Sequence, residues 1–193
     1  MYDSLFEFEH RLAKFTGAPY VVLTDGCTHA IELCMRYQLI KHCQFTAYTY
    51  LSVPQTLRSL YINFELIDED WTGEYQFHGT NIWDSARLLR KNMYRTGQMQ
   101  CLSFGNGKPL QLGRVGAILT DDAEAYRVLS RWRSDGRDLH ITPWASVKQY
   151  GSGWHYCPAL EDCARGIEKL PSVNQEPKYV QYPDLRSIDF KFD

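Results

Sequence analysis

Short runs of β-branched and apolar residues alternate along this chain with stretches whose apolar residues recur every three or four positions. YVVLT at 20–24 and GAILT at 116–120 are too short for helices and read as buried strands. Strands are also expected over 45–48, 64–67, 81–83 and 99–104. Between them, helical spacing covers 28–41, with Ile31, Leu33, Cys34 and Leu39, and 52–60. Further helices are expected from Asp121-Asp122 to about Arg133 and over 158–170. The first helix carries Phe6, Leu12 and Phe15. Ser4 and Glu7 have the spacing of a capping box, and Gly17 is a C-cap. Strands that alternate with helices predict an α/β domain of three layers, α/β/α, with a mostly parallel mixed sheet. The simplest parse is one domain over 1–170 and a short tail over 171–193 that is rich in Pro and polar residues and expected to be loosely held.

Composition narrows the function classes. A chain of 193 residues with 44% hydrophobic and 23% charged residues can bury a core without staples. Net charge is −2, and Lys and Arg are interspersed with Asp and Glu, so the chain has no basic footprint for nucleic acid and no polybasic membrane patch. No apolar run approaches the ~20 residues of a membrane-spanning helix, and the start does not read as a signal peptide. The six cysteines form no CxxC pair, so reduced thiols and a cytoplasmic protein are expected, with no zinc site.

In α/β folds ligands collect at the carboxyl ends of strands, so the residues just after each strand carry the chemistry. Gly26-Cys27-Thr28 sits between a strand and a helix start, where free N–H groups and a hydroxyl hold a phosphate or simply cap the helix. Tyr50 follows another strand and either stacks on a ligand ring or packs in the core. Asp84 ends a strand; it is a helix N-cap or a carboxylate facing a cationic ring nitrogen. Gly105-Asn106-Gly107-Lys108 fails as a P-loop, because Leu102 holds the first glycine position and Pro109 replaces the Ser/Thr. Lys108 is then a solvated loop lysine or a desolvated amine nucleophile. No GxGxxG or HExxH motif is present, and no Ser–His–acid triad can be argued.

In order and spacing, these pieces resemble the DegT-type sugar aminotransferases, a pyridoxal 5′-phosphate (PLP) family of fold type I. FEHRLAKFTGAPYVVLTDGCTHAIEL resembles the family's opening helix, first strand and phosphate-binding turn. AYTYLSVPQTL resembles its aromatic segment, and NIWDSARLL its "DxAQ/H" strand end. CLSFGNGKPLQLGRVGAILTDD is similar to its lysine segment, with Ser103 and Lys108 at the family's five-residue offset. SDGRD and GSGWHYCPALEDCARGIEKL resemble a later segment, so the likeness runs from about Phe6 to Leu170.

The resemblance implies roles. Lys108 would form the Schiff base with PLP and shuttle the proton, and Asp84 would pair with the protonated ring nitrogen. Tyr50 would stack on the ring, and Cys27, Thr28 and Ser103 would hold the phosphate. Arg87 stands where the family has Gln or His near the cofactor's 3′-oxygen. His155 stands where an asparagine often reaches the phosphate from a neighbouring subunit, which implies a homodimer with shared sites. Cys157-Pro158 departs from the family's Arg-Met, and the family's second, small domain has no counterpart here. The implied activity is transfer of an amino group from glutamate or glutamine to a keto acceptor, a nucleotide-linked keto sugar. A PLP-binding regulatory or scaffold protein without its own turnover is the alternative. Family dehydratases carry histidine in place of the Schiff-base lysine, whereas Lys108 is present here.

Overall fold

A computed structural model describes residues 1–141, 143–146, 148, 150–174 and 176–188. The end of the tail lies outside the described residues. The elements, in chain order, are α1 (Asp3–Thr16), β1 (Tyr20–Thr24), α2 (Cys27–Tyr37), β2 (His42–Thr46), α3 (Ser52–Ser59), β3 (Asn63–Ile67), β4 (Tyr75–Gln76), β5 (Ile82–Asp84), β6 (Met99–Ser103), β7 (Gly116–Thr120), α4 (Ala123–Trp132) and α5 (Leu160–Lys169).

The sheet runs in the order β1-β7-β6-β5-β4. The parallel pair β2-β3 joins this sheet beside β4 through backbone bonds between Gln44 and His78 at 2.8 and 3.3 Å. Strands β1, β5 and β6 point the same way, and β7 runs antiparallel to both of its neighbours. The mixed, mostly parallel course expected from the sequence is found: β1, β2, β3, β5 and β6 share one direction, while β4 and β7 run against it. For β7 the reason lies in the connection. A parallel return needs a crossover, commonly a helix, but the β6–β7 link over 104–115 contains none, so the chain turns back beside itself.

Alternation along the strands builds two cores. Val21 and Leu23 of β1, Leu102 of β6, and Ala117 and Leu119 of β7 face α1 and α5. Val22, Cys101 and Ile118 point the other way, toward α2, α3 and α4. The result is the expected α/β/α layering. One buried ion pair ties the layers together: Arg133, 1% exposed, pairs with Glu9 of α1 and donates to the Leu23 carbonyl at 2.8 Å. The Leu23 N–H donates to the same Glu9 carboxylate at 2.8 Å.

Local expectations hold unevenly. Strands β1 and β7 fall at their expected bounds, Gly17 is the left-handed C-cap of α1, and Asp122 caps α4 by accepting from Glu124 and Ala125 N–H groups. The Ser4–Glu7 capping box does not form. The helix begins at Asp3, so Ser4 already lies inside it and donates to the Leu160 carbonyl at 3.1 Å, while Glu7 pairs with Arg11. The buried face of α1 is Leu5, Phe8 and Leu12; Phe6 and Phe15 are only partly covered. Helix α2 stops at Tyr37, because Leu39 is left-handed (φ 53°) and turns outward.

Over its described residues the tail is held rather than loose. Leu185 is 1% exposed and its N–H donates to the Ala47 carbonyl at 3.0 Å. Tyr182 stacks on Trp71, and Arg186 meets Asp68 and the Tyr48 hydroxyl. Among the described residues no helix is long and apolar enough to cross a membrane.

Candidate active site

The carboxyl ends of β1, β5 and β6 open into a cavity of about 730 Å³. Seven of the eight residues singled out in the sequence line it: Cys27, Thr28, Tyr50, Asp84, Arg87, Ser103 and Lys108. The eighth, His155, does not. Its ring is 86% exposed and lies 3.2 Å from Asp135. A smaller cleft of about 230 Å³ near Phe6 and Tyr126 is lined by arginines, each already paired with a carboxylate.

One wall is an anion cradle. Helix α2 starts at Cys27, so the N–H groups of Cys27, Thr28 and His29 have no carbonyl one turn back to donate to. No acidic side chain lies in its first turn. The Thr28 hydroxyl is 2.8 Å from that of Ser52, the first residue of α3. The Ser103 side chain lines the same wall. Asp25, beside the turn, is neutralised by Arg114 at 3.0 Å and also meets His29 at 2.5 Å. Gly116 makes the cradle possible, since a Cβ there would sit 2.4 Å from the Gly26 carbonyl carbon and 2.5 Å from the Cys27 nitrogen.

Across the cavity, Asp84 is 5% exposed, and no ion pair reaches it among the described residues. Its Oδ1 accepts the Ala86 N–H and its Oδ2 accepts the Tyr75 hydroxyl, both at 2.9 Å. Tyr75 in turn lies 2.7 Å from the Thr49 hydroxyl. Burial pushes the Asp84 carboxyl up, while these donors and the Lys108 charge draw it back. The Cys27 sulfur is 3.8 Å from Asp84 Oδ1; burial and that carboxylate hold its thiol well above the ordinary range, so it is a neutral neighbour and not a nucleophile. A buried carboxylate with neutral donors alone is costly unless a cation completes it. The site therefore has three complementary parts: a cradle for an anion, a carboxylate for a buried cation, and an amine at Lys108.

Lys108 sits in the loop that turns β6 back into β7, and its own N–H bonds the Gly105 carbonyl at 3.2 Å. Tyr50 is 65% exposed at the rim of the cavity, so it is a wall and not part of the core. Arg87 donates to the Tyr182 hydroxyl at 3.3 Å and to the Gly107 carbonyl at 3.2 Å. Sequence reasoning missed Ser52, Tyr75, Thr49 and Tyr182. Ser52 follows a strand end and was open to the rule that found Tyr50. Tyr75 and Tyr182 carry no local signal, because a hairpin pairing and a tail contact bring them in.

No family model matches the sequence, and no curated protein matches it. Solved structures do share its fold. A DegT/DnrJ/EryC1/StrS aminotransferase from Brucella abortus aligns at TM-score 0.73 and 16% identity over 88% of this chain. AtS13 from Actinomadura melliaura aligns at 0.74 and 18%, again over 88%. The E. coli GDP-4-keto-6-deoxy-D-mannose-3-dehydratase, solved with bound hydrated PLP, aligns at 0.71 and 15% over 88%. The chain spans 58–60% of the length of these structures. Over that matched length it has the fold of these aminotransferase and dehydratase structures.

Proposed function

We propose that this chain is the cofactor-binding unit of a PLP-dependent aminotransferase. The amino donor in this reading is an amino acid, glutamate or glutamine, and the acceptor is a keto compound of the nucleotide-linked sugar class. The observation that carries it is the meeting, around one cavity, of a buried Asp84 with no ion pair among the described residues, the amine of Lys108 and the α2 anion cradle.

The residues present fit PLP. Cys27, Thr28, Ser52 and Ser103 would hold the phosphate, Asp84 would meet the ring nitrogen, Tyr50 would cover a ring face and Lys108 would anchor the aldehyde carbon. When bound, PLP supplies an electron sink for bonds at the donor's α-carbon. The chain's own residues do the rest. Asp84 would keep a proton at the ring nitrogen by charge pairing in a partly dry site. The Lys108 Nζ would hold the cofactor and, once displaced by the donor's amine, would take up the proton leaving the donor α-carbon. His155, exposed and outside its own chain's cavity lining, would serve a neighbouring copy's phosphate. The dehydratase neighbour has the same fold, so fold alone does not select the reaction. Lys108 lining the cavity favours amino transfer.

The test is borohydride reduction of the protein with PLP, followed by peptide mass analysis, and then assay for 2-oxo acid on adding L-glutamate or L-glutamine. An adduct on Lys108 that is lost in Lys108→Ala, with about one equivalent of 2-oxo acid released per site, is the expected result. An adduct without any 2-oxo acid favours the cofactor-binding, non-transferring alternative. No adduct at all refutes the assignment.

A further inference from the structure

Within this cofactor reading, we propose that Tyr75, oriented by Thr49, is a positioning residue that keeps Asp84 ionised and aimed into the cavity, so that the proton shared with the ring nitrogen stays on the ring. Tyr75 is delivered by topology. It lies directly opposite Asp84 in the β4–β5 antiparallel pair, so the two side chains leave the sheet on the same face. Both residues are buried, at 3% and 5% exposure.

The hydrogen bonds run in one direction. Tyr75 has a single proton, and it goes to Asp84 Oδ2 at 2.9 Å. The Thr49 hydroxyl at 2.7 Å must then donate to the Tyr75 oxygen, which makes Tyr75 a stronger donor toward the carboxylate. Burial and the nearby carboxylate hold the Tyr75 phenol well above its ordinary range, so it keeps that proton throughout the working pH range. A donor to a charged carboxylate lowers its basicity. With Tyr75 in place Asp84 is the weaker base of the pair; without it, burial dominates and the proton moves from the ring nitrogen to the carboxyl. The other groups facing Asp84 are the Cys27 thiol from α2, Cys101 from β6 and Lys108 from the β6–β7 loop.

Two readouts test this without relying on activity. In cofactor-free protein with ¹³C-carboxyl aspartate, the Asp84 signal, assigned by its loss in Asp84→Asn, is titrated in wild type, Tyr75→Phe and Thr49→Val. The midpoint should rise by about one pH unit or more in Tyr75→Phe and by less in Thr49→Val. In protein loaded with ¹⁵N-labelled PLP, the ring nitrogen signal should move toward the unprotonated pyridine position in Tyr75→Phe. A merely structural role would change neither at constant fold. Unchanged Asp84 midpoints in both variants overturn the proposal. If Tyr75→Phe does not fold, Thr49→Val, which leaves the phenol in place, decides it alone. If the wild type takes up no PLP, the cofactor reading fails, and the carboxyl titration still reports whether Tyr75 controls Asp84.

Discussion

Replacing Gly116 with alanine would place a methyl group 2.4 Å from the Gly26 carbonyl carbon, 2.5 Å from the Cys27 nitrogen and 2.8 Å from the Gly26 oxygen. Ordinary contact begins near 3.4 Å, so about 1 Å of separation has to be found. The obstacles are backbone on both sides, and neither side yields easily. Gly116 is paired in register with Thr24 of β1 and Ser103 of β6, which holds β7 in the middle of the sheet. The turn at Gly26-Cys27 must therefore move, and it carries the start of α2 away from Ser52 and Ser103. Overpacking of this kind costs about 1–3 kcal/mol, with the upper end expected where no side chain can rotate aside. Urea unfolding of cofactor-free protein and PLP titration followed by absorbance would read the two consequences. We expect destabilisation of about 2–3 kcal/mol and at least a tenfold weaker PLP affinity. Gly26→Ala is the control, since its Cβ meets nothing within 4 Å and its backbone is extended. A Gly116→Ala protein as stable as Gly26→Ala, with unchanged PLP affinity, would refute the argument that this close approach builds the cradle.

Three other outcomes follow from the geometry. Asp84 is raised in the folded state, so the stability it confers is full below the unfolded carboxylate value and falls as pH rises through the folded one. Asp84→Asn should therefore stabilise cofactor-free protein at neutral pH by roughly 1 kcal/mol per pH unit of that rise, with the gain vanishing in acid. Unfolding curves from pH 4 to 8 that superimpose would contradict it. Glu9→Gln should cost about 3–5 kcal/mol by leaving the Arg133 charge buried without its partner. The double variant Glu9→Leu with Arg133→Met should recover much of that loss in a denaturant series, and additive losses would count against the pair. Leu185→Asp should detach the tail: hydrogen exchange over 180–187 and Trp71 emission should change while the global unfolding midpoint moves little. Unaltered exchange there would mean that Leu185 does not anchor the segment.

Much of the site was legible because its chemistry sits in local strings. Cys27 and Thr28 follow a clear strand, Asp84 ends one, and Ser103 and Lys108 flank another, so the rule that ligands meet strand ends collects them without knowledge of the fold. The helix at 123–132 announced itself through Asp122, whose side chain caps the very next turn. Signals failed where a local pattern had two solutions. Ser4-x-x-Glu7 has capping-box spacing whether Ser4 lies before the helix or inside it, and packing against Leu160 chose the latter. Leu39 continues the apolar spacing of α2 but ends 74% exposed. The small strand β4 has only two residues, too few for any period to show.

The amino-acid sequence by itself determined the element order, the two-period pattern that makes a layered α/β domain, and the identity of seven residues that share one cavity. Those are properties of neighbours along the chain, where spacing and turn chemistry act directly. The tertiary structure alone decided the antiparallel course of β7, the place of Tyr182 in the cavity lining, and the absence of His155 from it. It also decided the supply of a proton donor to Asp84. Tyr75 meets Asp84 because a hairpin sets the two opposite each other, and Thr49 meets Tyr75 because β2 lies next to β4. Such contacts depend on strand order and register, which hydrophobic periodicity leaves open because every register that buries the same face satisfies it equally.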